Sequence, residues 1–293
     1  MCDEDTVSDN EKFLREPGRL SRRQFNTLTA GAALSMMLPR TANALTVTES
    51  DVAVTTPDGT ADCYFVHPSR GKHAGVIIWP DILGLRPAFR MMGKRLAESG
   101  YSVLVVNPYY RNQKAPVVKE GASFQDPQVR ETVFPLARSL SAATQVTDAR
   151  AFVSFLDDQA VVNTARKIGT MGYCMGGPIT MRTAAAVPDR IGAGASFHGG
   201  GLVTDSPDSP HLLVPEMNAH FLFAIAENDD ERDPDAKHVL RQTFDKAGLP
   251  AEIEVYQGAM HGWCPPDSTV YNEAQAERAW SRLLVLFDAA LAQ

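Results

Sequence analysis

Seven residues, Met171-Gly172-Tyr173-Cys174-Met175-Gly176-Gly177, constrain the fold of this chain more than any other stretch. They have the form G-x-nucleophile-x-G, with cysteine where serine is usual. An apolar run (residues 167–172) precedes them and a segment of helical spacing (175–187) follows. Glycine at the first and last places of the motif lets the backbone cross itself closely, as a strand must when it turns at once into a helix. The residue between is then lifted above a sheet and set at a helix N-terminus, where backbone N–H groups and the helix dipole favour an anion. A glycine-rich turn holding a small buried cysteine has the same letters. The strand before it and the helix after it are the context that supports the chemical reading.

The rest of the chain from residue 45 repeats this alternation. Residues 52–56 and 63–66 flank the turn signal Pro57-Asp58-Gly59 and predict a hairpin. The continuous apolar run at 74–79 predicts a strand buried on both faces, and 101–106 reads as the next strand. Between them Phe89, Met92 and Leu96 have helical spacing that stops at Gly100. Residues 107–130 carry scattered proline, glycine and polar residues and read as a long excursion. A helix over 146–156, strands over 191–197, 221–226 and 251–256, and helices over 234–247 and 273–291 complete the series. Repeated strand-then-helix units imply an α/β fold, a mostly parallel central sheet with helices on both faces. No linker divides residues 45–293, so one domain is expected.

Composition agrees. Apolar residues make up 44 % and charged residues 22 % of 293, which is ordinary for a globular protein. Asp and Glu outnumber Lys and Arg by 35 to 28, which argues against a nucleic-acid partner. Four cysteines without a C-x-x-C pair are neither a disulfide framework nor a structural zinc site.

Residues 1–44 read as an address outside the fold. A polar stretch leads to Arg22-Arg23-Gln24-Phe25, then to a short Ala- and Gly-rich apolar run, then to the small-residue pattern Ala42-Asn43-Ala44. This resembles a twin-arginine export signal. The expectation is export by the twin-arginine machinery to the periplasm, a mature chain beginning near Leu45, and no stable membrane insertion after processing, because the apolar run is shorter than the ~20 residues of a membrane span.

A nucleophile needs a base and an orienting acid, and in an α/β-hydrolase these follow it in the order acid, then histidine. Asp229 and Asp230 follow the strand that ends near Ala226. His261, in Gly258-Ala259-Met260-His261-Gly262-Trp263, follows the strand that ends near Tyr256. Both places are loops at carboxyl ends of strands, where open α/β sheets bind ligands. His198 precedes the acid in chain order and is assigned a structural role.

On these residues the chain resembles the dienelactone hydrolase (carboxymethylenebutenolidase) family, from about Val52 to the C-terminal helix. The resemblance implies an α/β-hydrolase fold and hydrolysis of a lactone or ester through an acyl-enzyme. Cys174 matches the nucleophile, His261 the histidine and Asp229 the acid, with Asp230 as its local rival. Asp81, in Trp79-Pro80-Asp81, stands where the family has a glutamate that helps ionise the cysteine. Arg111 matches one of two arginines that hold the substrate carboxylate, and the second has Pro265 in its place. The oxyanion hole is expected from the Met175 and Ile82 N–H groups. No metal or organic cofactor is expected. The implied partner is a small lactone or ester. Cys264, three residues past His261, is either a packing residue or a redox partner of Cys174. Other readings are a thiol redox protein and a non-catalytic binding protein on a hydrolase fold.

Overall fold

Strand β3 (Gly75–Trp79) has no exposed residue. Val76 and Ile78 join one hydrophobic layer, and Ile77 and Trp79 join another. This is the two-residue period of a strand. β4 (Ser102–Val105) does the same, with Val103 and Val105 in the first layer and Leu104 in the second. Strands apolar on both faces are stable only where both faces of the sheet are covered.

The computed structural model describes residues 3–15 and 44–292. Around β3 and β4 lie β1 (Val47–Thr56), β2 (Gly59–Pro68), β5 (Ile168–Tyr173), β6 (Ile191–Phe197), β7 (His220–Ala226) and β8 (Ala251–Tyr256). The eight strands stand in the order β1-β2-β4-β3-β5-β6-β7-β8. β1 and β2 form an antiparallel hairpin in which Thr56 pairs with Gly59 across Pro57-Asp58. β2 is antiparallel to β4, and every later pairing is parallel.

The helices are α1 (Glu4–Arg15), α2 (Pro87–Glu98), α3 (Pro127–Arg138), α4 (Ala142–Asp157), α5 (Gly176–Ala186), α6 (Glu227–Arg232), α7 (Ala236–Ala247) and α8 (Glu273–Leu291). α2 and α8 cover the first layer through Phe89, Leu96, Trp280, Leu283 and Phe287. α4, α5 and α7 cover the second through Phe152, Leu156, Ile179, Leu240 and Phe244. Arg95 ties α2 to α8 by donating to Glu277 and lying 4.5 Å over the Trp280 ring.

The sequence periodicity matches these elements, with β6, β8 and α8 at their expected bounds. The hairpin strands are longer than the expected 52–56 and 63–66, and three α-helices stand where none is expected. α3 follows the excursion unheralded, with Pro135 inside it. α6 occupies what reads as the loop after β7. Within the segment expected to stand outside the fold, α1 buries Thr6, Val7 and Asn10. Arg22-Arg23 and the Ala42-Asn43 part of the processing pattern lie outside the described residues.

The crossing of β5 into α5 leaves no room for side chains. A Cβ on Gly172 would stand 2.1 Å from the Gly176 carbonyl oxygen, and one on Gly176 would stand 2.4 Å from the Trp79 carbonyl oxygen. Both obstacles are backbone, so nothing can swing aside. Gly172→Ala should therefore lower the free energy of unfolding by at least about 3 kcal/mol, the upper part of the overpacking range. Urea titration followed by circular dichroism measures it, and a change below about 1 kcal/mol would contradict the packing described.

Candidate active site

Cys174 sits at the apex of that crossing with φ of 52°, in the left-handed region that a residue with a Cβ enters at a cost of about 1–3 kcal/mol. It is held there at both ends. Its N–H donates to the Phe197 carbonyl at 3.0 Å, and its carbonyl accepts from Gly177 at 3.1 Å. The side chain is 1 % exposed and lines a cavity with His261, His198, Asp81 and Arg86.

His261 arrives from the loop after β8, and α6 sets its register. Glu227 donates its N–H to the Ala259 carbonyl and accepts from Gly258 N–H through Oε2 at 3.0 Å. Asn228 Oδ1 accepts the His261 N–H at 2.8 Å. The next residue, Asp229, receives His261 Nδ1 at 2.8 Å through Oδ2. Asp230 is turned away and accepts both its contacts from Lys237 Nζ at 2.6 Å. The acid beside the histidine is therefore Asp229, placed by a short helix rather than a loop. Nothing in the sequence marks Asn228 except its position next to that acid.

The imidazole also hydrogen-bonds the Cys174 thiol. Burial opposes charge on His261, but Asp229 and the Cys174 sulfur outweigh it and push the imidazole up to about 10. Cys174, His261 and Asp229 are thus contiguous, with a histidine that holds a proton at neutral pH beside the sulfur.

The other expected residues divide. The N–H groups of Ile82 and Met175 donate to no acceptor among the described residues. Tyr109 fixes both segments, since its hydroxyl donates to the Ile82 carbonyl at 2.9 Å and contacts Met175 Sδ at 3.3 Å. Asp81 lines the cavity. Burial pushes its carboxyl up against the pull of Arg86, and the charges on Asp267 and Cys174 push the same way. It also caps its own loop by accepting the Leu83 N–H at 2.9 Å.

Arg111 does not come to the site. Asp148 holds its guanidinium at 2.7 and 2.8 Å, Asp58 holds it at 2.6 Å, and it lies 4.6 Å over the Tyr110 ring, away from the cavity lining. Two carboxylates anchor it at the β1–β2 hairpin. Cys264 is likewise elsewhere. It packs in the first layer with Tyr173 and Trp280, and Cys63, Cys174 and Cys264 form no disulfide with one another.

The cation that does reach the cavity is Arg86, which the sequence reading passes over. All five of its N–H groups are engaged. Two go to Asp81 at 2.7 and 2.9 Å, two to Asp267 at 2.6 and 2.9 Å, and one to the Gly84 carbonyl at 3.3 Å. The site therefore carries two carboxylates around one saturated guanidinium.

His198 stands against His261 at 5.0 Å between ring centroids, with φ of 40°. Burial and the neighbouring His261 charge hold it well below its ordinary value, so it is neutral. The excursion forms part of the wall, because Val118 and Phe124 pack with α3 on Ile82, Leu83 and Cys174. Among the described residues no group of three or more His, Cys, Asp or Glu side chains is placed to hold a metal ion.

Comparisons with known proteins point the same way. The model of the dienelactone hydrolase family matches residues 61–291. A carboxymethylenebutenolidase of Rhodococcus opacus is 26 % identical over 238 residues, covering 78 % of this chain and 87 % of its own. A dienelactone hydrolase-like promiscuous phosphotriesterase from metagenomic libraries superposes with a TM-score of 0.70 at 18 % identity, over 84 % of this chain and 99 % of that one. A dienelactone hydrolase from Anabaena variabilis gives 0.59 at 16 %, over 84 % and 99 %. These likenesses support the fold.

The His261–Asp229 pair has a pH signature. The histidine value is raised in the folded state, so its stabilising effect is full below the ordinary 6.5 and fades as pH climbs through about 10. Asp229→Asn removes the largest raising charge. The stability gap between the native chain and Asp229→Asn should be roughly 1–3 kcal/mol just below pH 6.5 and should shrink toward pH 10. Chemical unfolding across that range tests the sign, and a gap that widens with pH would contradict it.

Proposed function

The chain belongs to the dienelactone hydrolase family, and from its site we propose that it hydrolyses a lactone or carboxylic ester with Cys174 as nucleophile. The observation that carries this reading is the contiguous Cys174–His261–Asp229 arrangement at a strained strand-to-helix turn. The Cys174 sulfur forms a bond to the carbonyl carbon, and the carbonyl oxygen gains negative charge facing the Met175 and Ile82 amides. The carbon–oxygen bond to the leaving group breaks, and His261 gives that oxygen its proton. Water then attacks the thioester, returns a proton to His261 and releases the sulfur. Asp229 holds the imidazole tautomer and stabilises its cation throughout. An amide donor at the oxyanion is worth about 3 kcal/mol of barrier. Asp81 lies close enough for its charge to be felt at the sulfur, which suits a role in setting the state of the thiol.

The substrate class follows from charge. A substrate carboxylate needs free cationic donors, and neither the expected arginine nor the cavity's own guanidinium offers one among the described residues. Arg111 is bound at the hairpin, Pro265 has no charge, and Arg86 has no spare N–H. Two carboxylates on one guanidinium give that part of the cavity wall an excess of acidic groups. The site therefore suits an uncharged lactone or ester in preference to a carboxylate-bearing one. Export, suggested by Arg22-Arg23 and Ala42-Asn43-Ala44, would place that activity in the periplasm.

Two measurements test the proposal. Cys174→Ala should abolish hydrolysis of a p-nitrophenyl ester panel while keeping the circular dichroism spectrum, and a slow ester should add one acyl mass to the native chain but not to the variant. Retained turnover in Cys174→Ala would remove the cysteine mechanism. Separately, Asp267→Asn should raise the ratio of kcat/KM for a carboxylate-bearing ester over its neutral isostere by on the order of tenfold, equivalent to about 1.4 kcal/mol. An unchanged ratio would mean that Arg86 and its partners do not read substrate charge.

A further inference from the structure

The cavity that contains Cys174 and His261 is too small for the chemistry assigned to it. Its volume is about 60 Å³, whereas sites for small organic ligands run to roughly 300–1,000 Å³. Away from the sheet the cavity is walled by α1 together with residues 122–125 and 267–269. Thr6 and Asn10 line the cavity together with the sulfur and the imidazole. They are 1 % and 5 % exposed, and Asn10 Oδ1 is buried there without a hydrogen-bond partner.

The helix and its seat are complementary. Residues 3–15 carry five acids and two bases. Asp3 caps the helix by accepting the Thr6 N–H at 2.9 Å. On the rim, Arg232 faces Asp3 at 3.7 Å and also pairs with Asp9, Asn228 donates to Asp9 at 3.3 Å, and Arg130 faces Glu4 at 3.7 Å. Asn228 and Arg232 belong to α6, which also bears Asp229, so the helix docks on the element that sets the acid.

The attachment is weak as well as specific. Val7 is the one buried apolar residue of α1, and the rim ion pairs are partly exposed, so each contributes little. A helix of twelve residues is marginal by itself. Attachment to the same chain makes its docking intramolecular, so it does not depend on protein concentration. A cut anywhere between Arg15 and Leu45 removes that advantage.

We propose that the mouth of the cavity is a binding site for an acidic helical peptide, occupied by the chain's own residues 3–15, which exclude substrate until the chain is cut before Leu45. The effect on turnover rests on the hydrolase reading, but the effect on thiol access does not. Processing near Leu45, expected from the export reading, would remove the helix with the leader.

The experiment uses the full chain with a recognition site for a sequence-specific protease inserted between Arg15 and Leu45. The folded protein is cut and passed through gel filtration. Ester kcat/KM and the alkylation rate of Cys174 by iodoacetamide are measured before and after, with Cys174→Ala marking the signal of the other thiols. Both should rise at least tenfold on cutting. A synthetic peptide of residues 3–15 added back should lower both, raising KM rather than lowering kcat. In the uncut chain Asp9→Lys should move both rates toward the cut values, and the peptide bearing Asp9→Lys should fail to inhibit. A rise in alkylation with no hydrolysis in either form would uphold the docked helix and overturn the hydrolase reading. Equal rates before and after cutting, or a peptide without effect, would overturn the docked helix.

Discussion

The approach of the Gly172–Gly176 turn to the Trp79 carbonyl is the constraint on which the site depends. A strand that ends at the middle of a parallel sheet and becomes a helix within two residues must pass its own backbone at contact distance, and here a Cβ at either glycine would lie within 2.4 Å of a carbonyl oxygen. The close passage forces Cys174 into the left-handed region. It also brings the start of α5 beside the end of β3, so the Met175 and Ile82 amides come to the same side of the sheet. One steric fact thus places the sulfur, the helix N-terminus and both candidate oxyanion donors. Tyr109 then fixes the spacing of the two donor segments by reaching both.

Charge is the second organising term. The buried groups at the site comprise Asp81, Arg86 and His261, with Asp267 and Asp229 beside them. Isolated charges so placed would be strongly unfavourable, and what makes them tolerable is that each hydrogen-bonds at least one other. The pairing has a functional consequence. A guanidinium whose five donors are spent holds the 81–86 loop rigid but has nothing left for a ligand. Arg111 illustrates the same rule at the hairpin, where Asp58 and Asp148 convert an arginine with the look of a substrate anchor into a structural strut.

This separates what was legible in the sequence from what was not. Period-two and period-3.6 patterns are local, and β6, β8 and α8 were readable to the residue from them. That Cys174, Asp229 and His261 come together was readable because chain order and strand ends restrict where a candidate nucleophile, acid and base can stand. Arg86, Asp267 and Asn228 were not, because their contacts reach across as many as 219 positions of sequence, and an arginine at the N-cap of a helix looks like any solvated cation. Arg111 stands away from the cavity for the converse reason, since its match to a family arginine carries no information about which carboxylates lie nearby. α6 escaped because its six residues, Glu227–Arg232, are all polar and have no periodicity to detect.

A thiol–imidazole site has opposing needs. The attraction between a cationic His261 and the Cys174 sulfur is strong only where water is excluded, yet the proposed reaction requires a substrate to reach the sulfur. The sheet and its covering helices bury Cys174 from below. The cover from above comes from pieces outside the strand–helix repeat: residues 118–124, α3 and α1. Such pieces are the part of the fold least bound by the core, because their removal leaves both hydrophobic layers intact. Dryness at the sulfur and access to it are therefore set by different parts of the molecule. Movement of the cover can change access without disturbing the turn that strains Cys174 or the pair that positions His261.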